Sequence, residues 1–229
     1  MTEAMQQNNE ALNEDQLRQM PVVRVIDDDD KVRRSWQFVL EGEGWQVQTY
    51  ESAVRFLQED DPCVPGCIVS DVRMPEMSGI ELQTELKRTG NSMPLVLISA
   101  HADLVMAVKA VKDGAFDFLL KPVETEHLIQ TVSEALELDQ TRRAEYAEID
   151  KALKCWALLS AREKEVARGV ADGKLNKQIA YDLNISEKTV IAHRSALCRK
   201  LGIRSAADIT RMLLTVEKQE KAMAGKETT

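Results

Sequence analysis

With 229 residues the chain is too long for one small module, and a prior of about 100–200 residues per domain favours two. Apolar residues make up 44%, enough for packed cores, yet no apolar run approaches the roughly 18 residues of a membrane span and the opening MTEAMQQNNEALNEDQ is too polar for a secretion signal. The net charge of −8 is uneven: residues 1–157 hold 16 Lys and Arg against 29 Asp and Glu, and residues 158–229 hold 14 against 9. An acidic front (−13) and a basic back (+5) imply a different partner for each half of a cytoplasmic chain.

In chain order, residues 1–20 carry few apolar side chains and read as a flexible arm. Short apolar runs follow at Val22–Ile26, Trp45–Tyr50, Cys67–Ser70, Leu95–Ile98 and Phe116–Leu120. Between them lie Lys31–Leu40, Ala53–Glu59, Gly79–Arg88 and Leu104–Lys112, with apolar residues at three- and four-residue intervals, and Leu128–Leu138 completes the set. Five strands alternating with five helices predict an α/β, doubly wound five-stranded parallel sheet over residues 21–138. Ser78-Gly-Ile-Glu81 reads as a capping box.

Residues 139–157 are polar without a helix breaker, which predicts a helical linker, either a solvated connector or a coiled-coil dimer whose stripe is interrupted at Asp139 and Arg143. All six prolines lie at or before Pro122, so uninterrupted helix is expected behind. Residues 158–216 show four helical patterns: one after Ser160-Ala-Arg-Glu163, then Leu175–Leu183, then Glu187 to about Leu201 behind an Asn184-Ile185-Ser186 turn. Gly202 stops the third, and Ser205-Ala-Ala-Asp208 opens a fourth. Val166, Val170, Ile179, Ala180, Leu183, Val190, Leu197 and Leu201 are the candidate small core; residues 217–229 read as a flexible tail. The four cysteines are irregularly spaced without a metal signature; Cys63 and Cys67 are able to bridge, and reduced thiols are the plainer expectation.

Candidate chemistry gathers where the predicted strands end. The first runs into Asp27-Asp28-Asp29-Asp30, the third into Asp71, the fourth into Ser99 and the fifth into Lys121. An open parallel sheet binds ligands outside the carboxyl ends of its strands, where the strand order reverses, so these residues are expected to converge. Crowded carboxylates repel unless a cation joins them, and hard oxygen ligands suit Mg²⁺. With a lysine and a hydroxyl beside them, the set fits phosphoryl transfer to a carboxylate.

The motifs VIDDDDKVRRS, SDVRMPEMSG, VLISAHAD and GAFDFLLKPV, in that order and spacing, resemble the receiver domain of bacterial two-component response regulators, with a flavodoxin-like fold. The resemblance implies Asp71 as phosphoacceptor, Asp27 and Asp28 as the acidic pair beside Mg²⁺, and the backbone carbonyl of Arg73 as a further metal ligand. The aspartate run leaves that register open by one residue. Ser99 would hydrogen-bond the phosphoryl group, Lys121 would pair with it, and Phe118 would take the place of the aromatic switch residue whose rotamer follows Ser99. Phe118 has no phenolic hydroxyl, so its switching would rest on packing. A cis bond before Pro122 would help aim Lys121.

Behind the linker, Lys174, Lys177, Lys188, Arg194, Arg199, Lys200 and Arg204 face only Asp182 and Glu187 between Lys174 and Arg204. A short helix, a tight turn and a basic helix make a helix-turn-helix pattern, whose second helix enters the major groove of DNA. Tyr181 is the single aromatic after Trp156, so a base-stacking platform for single strands or RNA is disfavoured. LSAREKEVARGVADGKLNKQIAYDLNISEKTVIAHRSALCRKLGI resembles the LuxR-type helix-turn-helix and places the chain with NarL/FixJ-type regulators. By that likeness Asn176, Lys177, Thr189 and Arg194 would touch phosphates, while Lys188, Ile191, Ala192 and Ser195 would face base edges. His193 would be packed. Ile191 stands where the family often has lysine or arginine, so its contact would be apolar, for example to a thymine methyl.

Together these imply a transcription regulator, not an enzyme, phosphorylated on Asp71 by a sensor histidine kinase. The surface of the fourth helix and fifth strand would then dimerise or release the tail, so that two DNA-reading helices engage paired half-sites in double-stranded DNA, without membrane contact. The rival is a Mg²⁺-dependent aspartyl phosphatase using Asp27 as nucleophile, which would need a further acidic pair after Lys121, where only Glu124 and Glu126 stand. A receiver that works without phosphorylation is the third reading.

Overall fold

The computed structural model describes residues 20–100, 104–203 and 205–226; the arm at 1–19, Arg204 and the last three residues of the predicted tail lie outside them. Strands β1 (Val22–Ile26), β2 (Gln46–Tyr50), β3 (Gly66–Asp71), β4 (Leu95–Ser99) and β5 (Asp117–Leu120) form one parallel sheet in the order β2-β1-β3-β4-β5. Helices α1 (Asp30–Gly42), α2 (Ala53–Glu59), α3 (Gly79–Thr89) and α4 (Leu104–Lys112) alternate with the strands, and α5 runs Thr125–Ala157. The doubly wound sheet is the one expected from the apolar runs.

Alternation along the strands sorts side chains into two cores. Val23, Val25, Cys67, Val69, Val96 and Ile98 pack with Leu40 of α1 and with Leu128, Val132 and Ala135 of α5. Ile26, Ile68, Leu95 and Leu97 pack on the opposite face with Phe56 of α2, Leu82 and Leu86 of α3 and Ala110 of α4. Covered on both faces, the central strands are almost wholly apolar. Because β1 neighbours both β2 and β3, the strand order reverses there, and Ile26 lies opposite Ser70. Asp27 and Asp71 therefore leave the sheet side by side.

The opposite edge holds an unexpected polar node. Arg24, within the apolar run of β1, is 1% exposed, and its guanidinium donates to Asp60 Oδ1 (2.8 Å) and to the carbonyls of Val22, Asp61, Val64 and Pro65. Arg143 grips the same loop from α5 through the carbonyls of Pro62, Cys63 and Val64, while its Nε and the Gly66 amide both donate to Asp139 Oδ2. A buried charge is tolerable when each donor is met in this way. A Cβ on Gly66 (φ 147°) would collide with the Val22 carbonyl and Arg24 Nη1, so glycine is required there. Asp139 and Arg143, which interrupt the predicted linker stripe, thus serve the first unit, and the chain divides between Arg143 and Ala144, beyond the Leu138 limit read from sequence.

The second unit is all helical: the end of α5, then α6 (Ala161–Ala171), α7 (Asn176–Leu183), α8 (Glu187–Leu201) and α9 (Ala206–Lys226). The expected residues Val166, Val170, Ile179, Ala180, Val190 and Leu197 are buried, with Leu183 and Leu201 packed against them. Trp156, Leu159, Ile209, Leu213 and Val216 complete the core, which draws on both flanking helices. Helix α9 continues through Lys226, past the Glu217 start read for a tail, because buried Val216 carries the helix on into strong helix formers. All four cysteines are free thiols; burial pushes that of Cys67 up to about 12.

Candidate functional site

The aspartate run breaks into four separate roles. Asp27, 4% exposed, directs Oδ1 to the Asp29 amide (2.9 Å) and Oδ2 to Lys121 Nζ (3.0 Å). Asp29 caps α1, accepting from the Lys31 amide. Asp30 opens that helix and pairs with Arg33 and Arg34. Asp28 is exposed and has no ion pair with another described residue. Arg33 also ties the turn from below, donating to the carbonyl of Asp27 at 2.7 Å.

Asp71, 8% exposed, ends β3 beside this turn. Its Oδ1 accepts from Lys121 Nζ (2.5 Å) and its Oδ2 from the Arg73 amide (2.6 Å). Lys121 therefore bridges the two carboxylates, held at the end of β5 by its amide on the Ser99 carbonyl (2.9 Å) and followed by a cis peptide to Pro122. Burial alone would lower the Lys121 pKa, but hydrogen bonds from Nζ to Asp71 and Asp27 and their negative charge outweigh it and raise it. Burial raises the Asp27 pKa in spite of the opposing pull of the Asp29 amide and Lys121.

Ser99 closes β4 and is 1% exposed. Phe118, opposite Leu97 in the β4–β5 register, packs half-buried against the same core as Met106 of α4. Sequence reasoning passed over Gly79: a Cβ there would come within 2.5 Å of the Asp71 carbonyl and 2.9 Å of Leu97. The first residue of α3 thus presses on the backbone that carries Asp71. Its only sequence signal is its place directly after the Ser78 cap, whose capping box with Glu81 is formed. Among the described residues no three His, Cys, Asp or Glu side chains form a metal cluster.

In the second unit, Asn184 turns the chain with φ 53°, and Ser186 caps α8 through the Thr189 amide. The exposed residues of α8 include Lys188, Ile191, Ala192, Ser195 and Arg199, one stripe at helical spacing, while Val190 and Leu197 point into the core. His193 is half-buried. Arg194 donates to Asn176 Oδ1 at 2.6 Å, so two expected phosphate contacts lie together across α7 and α8. Thr189 Oγ1 meets Ser186 Oγ at 2.7 Å, and Lys177 is exposed.

Two members of the basic cluster are spent inside the unit. Lys200 reaches Glu163 Oε2 at 2.7 Å, and Lys174 reaches Asp182 at 2.8 Å. The Lys200 hydrogen bond, with the Ser160 amide, holds the Glu163 carboxyl down to about 2. Ser160 completes a capping box on α6, so Glu163 joins the start of α6 to the end of α8.

Residues 23–133 match the family of response regulator receiver domains, and residues 157–213 match bacterial regulatory proteins of the luxR family. The chain is 39% identical over 191 residues to the response regulator protein TodT of Pseudomonas putida, covering 83% of this chain and 84% of that protein. It is 42% identical over 195 residues to the transcriptional regulatory protein FixJ of Azorhizobium caulinodans, covering 84% and 91% respectively. Among solved structures, the response regulator StyR superposes with a TM-score of 0.78 at 39% identity over 85% of this chain and 98% of that one. Full-length FixJ from B. japonicum superposes with a TM-score of 0.54 at 32% identity over 87% and 98%.

Proposed function

The chain belongs to the two-component response regulators that join a receiver domain to a LuxR-type DNA-binding domain, and on that premise we propose that phosphorylation of Asp71 controls its binding to DNA. The observation that supports this most directly is the convergence of two buried carboxylates, Asp27 and Asp71, on the single ammonium of Lys121. A sensor histidine kinase supplies the phosphoryl group. An Asp71 oxygen attacks phosphorus in line with the P–N bond of the kinase phosphohistidine; the O–P bond forms as P–N breaks, and the freed imidazole takes up a proton from solvent.

Lys121 neutralises charge on the transferring group, and the Arg73 amide orients the second Asp71 oxygen. The Ser99 hydroxyl, at the end of the next strand, hydrogen-bonds the phosphoryl once formed. Asp27, Asp28, Asp71 and the Arg73 carbonyl would hold Mg²⁺; their all-oxygen donor set fits a hard divalent ion, and two buried carboxylates sharing one lysine leave negative charge for it to balance. When bound, the ion supplies further charge neutralisation at the phosphoryl oxygens.

Movement of Ser99 toward the phosphoryl opens space for Phe118 to repack, which biases the surface of α4 and β5. That surface exposes Leu104, Val105, Val108, Val111 and Leu120, an apolar patch suited to a second copy of the chain. The paired copies then set two α8 helices on paired half-sites of duplex DNA, with Lys177, Thr189 and the Asn176–Arg194 pair on phosphates. The reading places the protein in the cytoplasm; among the described residues no helix is long and apolar enough to cross a membrane.

The test is mass spectrometry of the full chain after treatment with acetyl phosphate and Mg²⁺. A single phosphoryl adduct on the Asp71 peptide, absent in Asp71→Asn, is expected. Label at Asp27 with steady turnover of a phosphate ester would establish the phosphatase reading instead, although that reading needs an acidic pair on a strand after Lys121, and Glu124 and Glu126 lie just before α5 and in its first turn. DNA affinity and dimerisation unaltered by acetyl phosphate would overturn the switch.

A further inference from the structure

We propose that Ile191 is a specificity-determining residue that reads a thymine methyl group in the major groove, an inference that rests on the DNA-reading role given to α8 above. Ile191 is 49% exposed in the middle of the outward stripe of that helix. Among the described residues the other large apolar side chains exposed in this unit, Tyr146, Leu158, Leu175, Tyr181 and Leu214, all lie off α8. Ala192 is exposed beside it, which doubles the apolar step, whereas the stripe turns polar on both sides, with Lys188 one turn before and Ser195 one turn after.

The step is also rigid. Ser186 fixes the start of α8, Gly202 ends it, the Arg194–Asn176 bond ties its middle to α7, and Lys200–Glu163 ties its end to α6. The isoleucine is β-branched, so its side chain is confined largely to one rotamer on a helix. A stiff apolar projection seeks an apolar complement, and on a base-pair edge in the major groove that is the C5-methyl of thymine. Lys188, one turn earlier with no ion pair among the described residues, suits the guanine O6 and N7 acceptors of a nearby pair, and Ser195 accepts either edge. The half-site is therefore expected to hold a thymine between a lysine-read guanine and a less restricted position.

The experiment enriches a random duplex library on the full chain treated with acetyl phosphate. Each thymine of the enriched site is then replaced in turn by deoxyuridine, which removes only the methyl group. Wild-type protein is expected to lose about fourfold in affinity at one thymine per half-site, the equivalent of about 0.8 kcal/mol for one buried carbon. Ile191→Ala is expected to lose most of that discrimination between the thymine and uracil duplexes, keeping only what Ala192 and the new alanine methyl supply, with an unchanged circular dichroism spectrum and salt dependence. Enrichment of a defined site with no uracil-sensitive position, or with the same sensitivity in Ile191→Ala, would overturn the role of Ile191 while leaving DNA binding intact. Failure to enrich any duplex would instead remove the reading on which the inference stands, and the inference with it.

Discussion

At the carboxyl edge of the sheet, Asp27 and Asp71 are buried and closed onto Lys121, whereas Lys188, Ile191, Ala192, Ser195 and Arg199 all stand exposed along α8. The acidic site gains its chemistry from being shut away, where weak screening makes each charge felt strongly. The proposed recognition stripe has the opposite need, since a surface that reads another molecule must leave its groups unspent. Each region also contains a counterexample: Asp28, next to Asp27 in the chain, stays exposed, and Lys200 is consumed inside the basic unit. Charge is thus allotted residue by residue, and four substitutions sharpen the contrast.

The largest effect is expected from Gly66→Ala, where the added methyl strikes the Val22 carbonyl and the buried Arg24 guanidinium. A loss of about 4 kcal/mol from the first unit is expected, with the helical unit unaffected. Urea unfolding followed separately by Trp36 or Trp45 and by Trp156, in variants retaining one tryptophan region, checks it; parallel loss in both units would break the division.

Next is Glu163→Gln, which keeps the cap on α6 but removes the charge that meets Lys200. A loss of about 1 kcal/mol from the second unit is expected at pH 7. Because the folded Glu163 is held down to about 2, its stabilising effect is full above the ordinary carboxyl value of 4.5 and is lost as pH falls from there toward 2. Melting the wild type and Glu163→Gln across pH 2–7 should show the two curves converging at the acid end.

Asp27→Asn works in the other direction. Burial raises the Asp27 pKa, so its stabilising share is full below the unfolded value of 3.8 and is lost as pH rises through the shifted value, above which the buried carboxylate opposes folding. The amide keeps an oxygen for the Asp29 N–H but gives up the Lys121 hydrogen bond, leaving that ammonium to Asp71, so metal-free protein should gain under about 1 kcal/mol at pH 7 while losing the Asp71 adduct. A lower melting temperature in EDTA would contradict this account of the acidic pocket.

The smallest effect on folding belongs to Lys177→Ala, under about 0.5 kcal/mol at an exposed site. Its consequence should appear in DNA binding instead, as a drop of about one in the slope of log affinity against log salt, equal on all sequences. Filter binding between 50 and 200 mM salt, as orders of concentration, measures it.

Much of this architecture was legible because its signals are local. Val22–Ile26 and Ala53–Glu59 read from apolar spacing as they fold, and the Ser78, Ser160 and Ser186 caps mark their helices. The convergence of Asp27, Asp71 and Lys121 followed from strand ends in a parallel sheet. What sequence did not disclose depends on partners distant along the chain. Arg24 is one charge among valines in sequence, and the folded loop at 60–65 supplies Asp60 and three of its four carbonyls. Asp139 and Arg143 looked like interruptions of a linker stripe because their partners, the Gly66 amide for Asp139 and the carbonyls at 62–64 for Arg143, lie far off along the chain. Lys200 looked available for DNA until Glu163 folded against it.

The four aspartates beside the site bear on what kinds of genetic change this region tolerates. Identical letters suggest redundancy, and losing one would still leave an acid in the pocket and a cap in place. Yet α1 begins within the run, and Leu40 at its far end is fully buried. Deleting one aspartate would rotate every later side chain of the helix by about 100° and swing that leucine out of the core. Point changes at Asp28 or Asp30 are therefore tolerable for folding where a one-codon slip is not, so the length of the tract is under tighter constraint than its spelling.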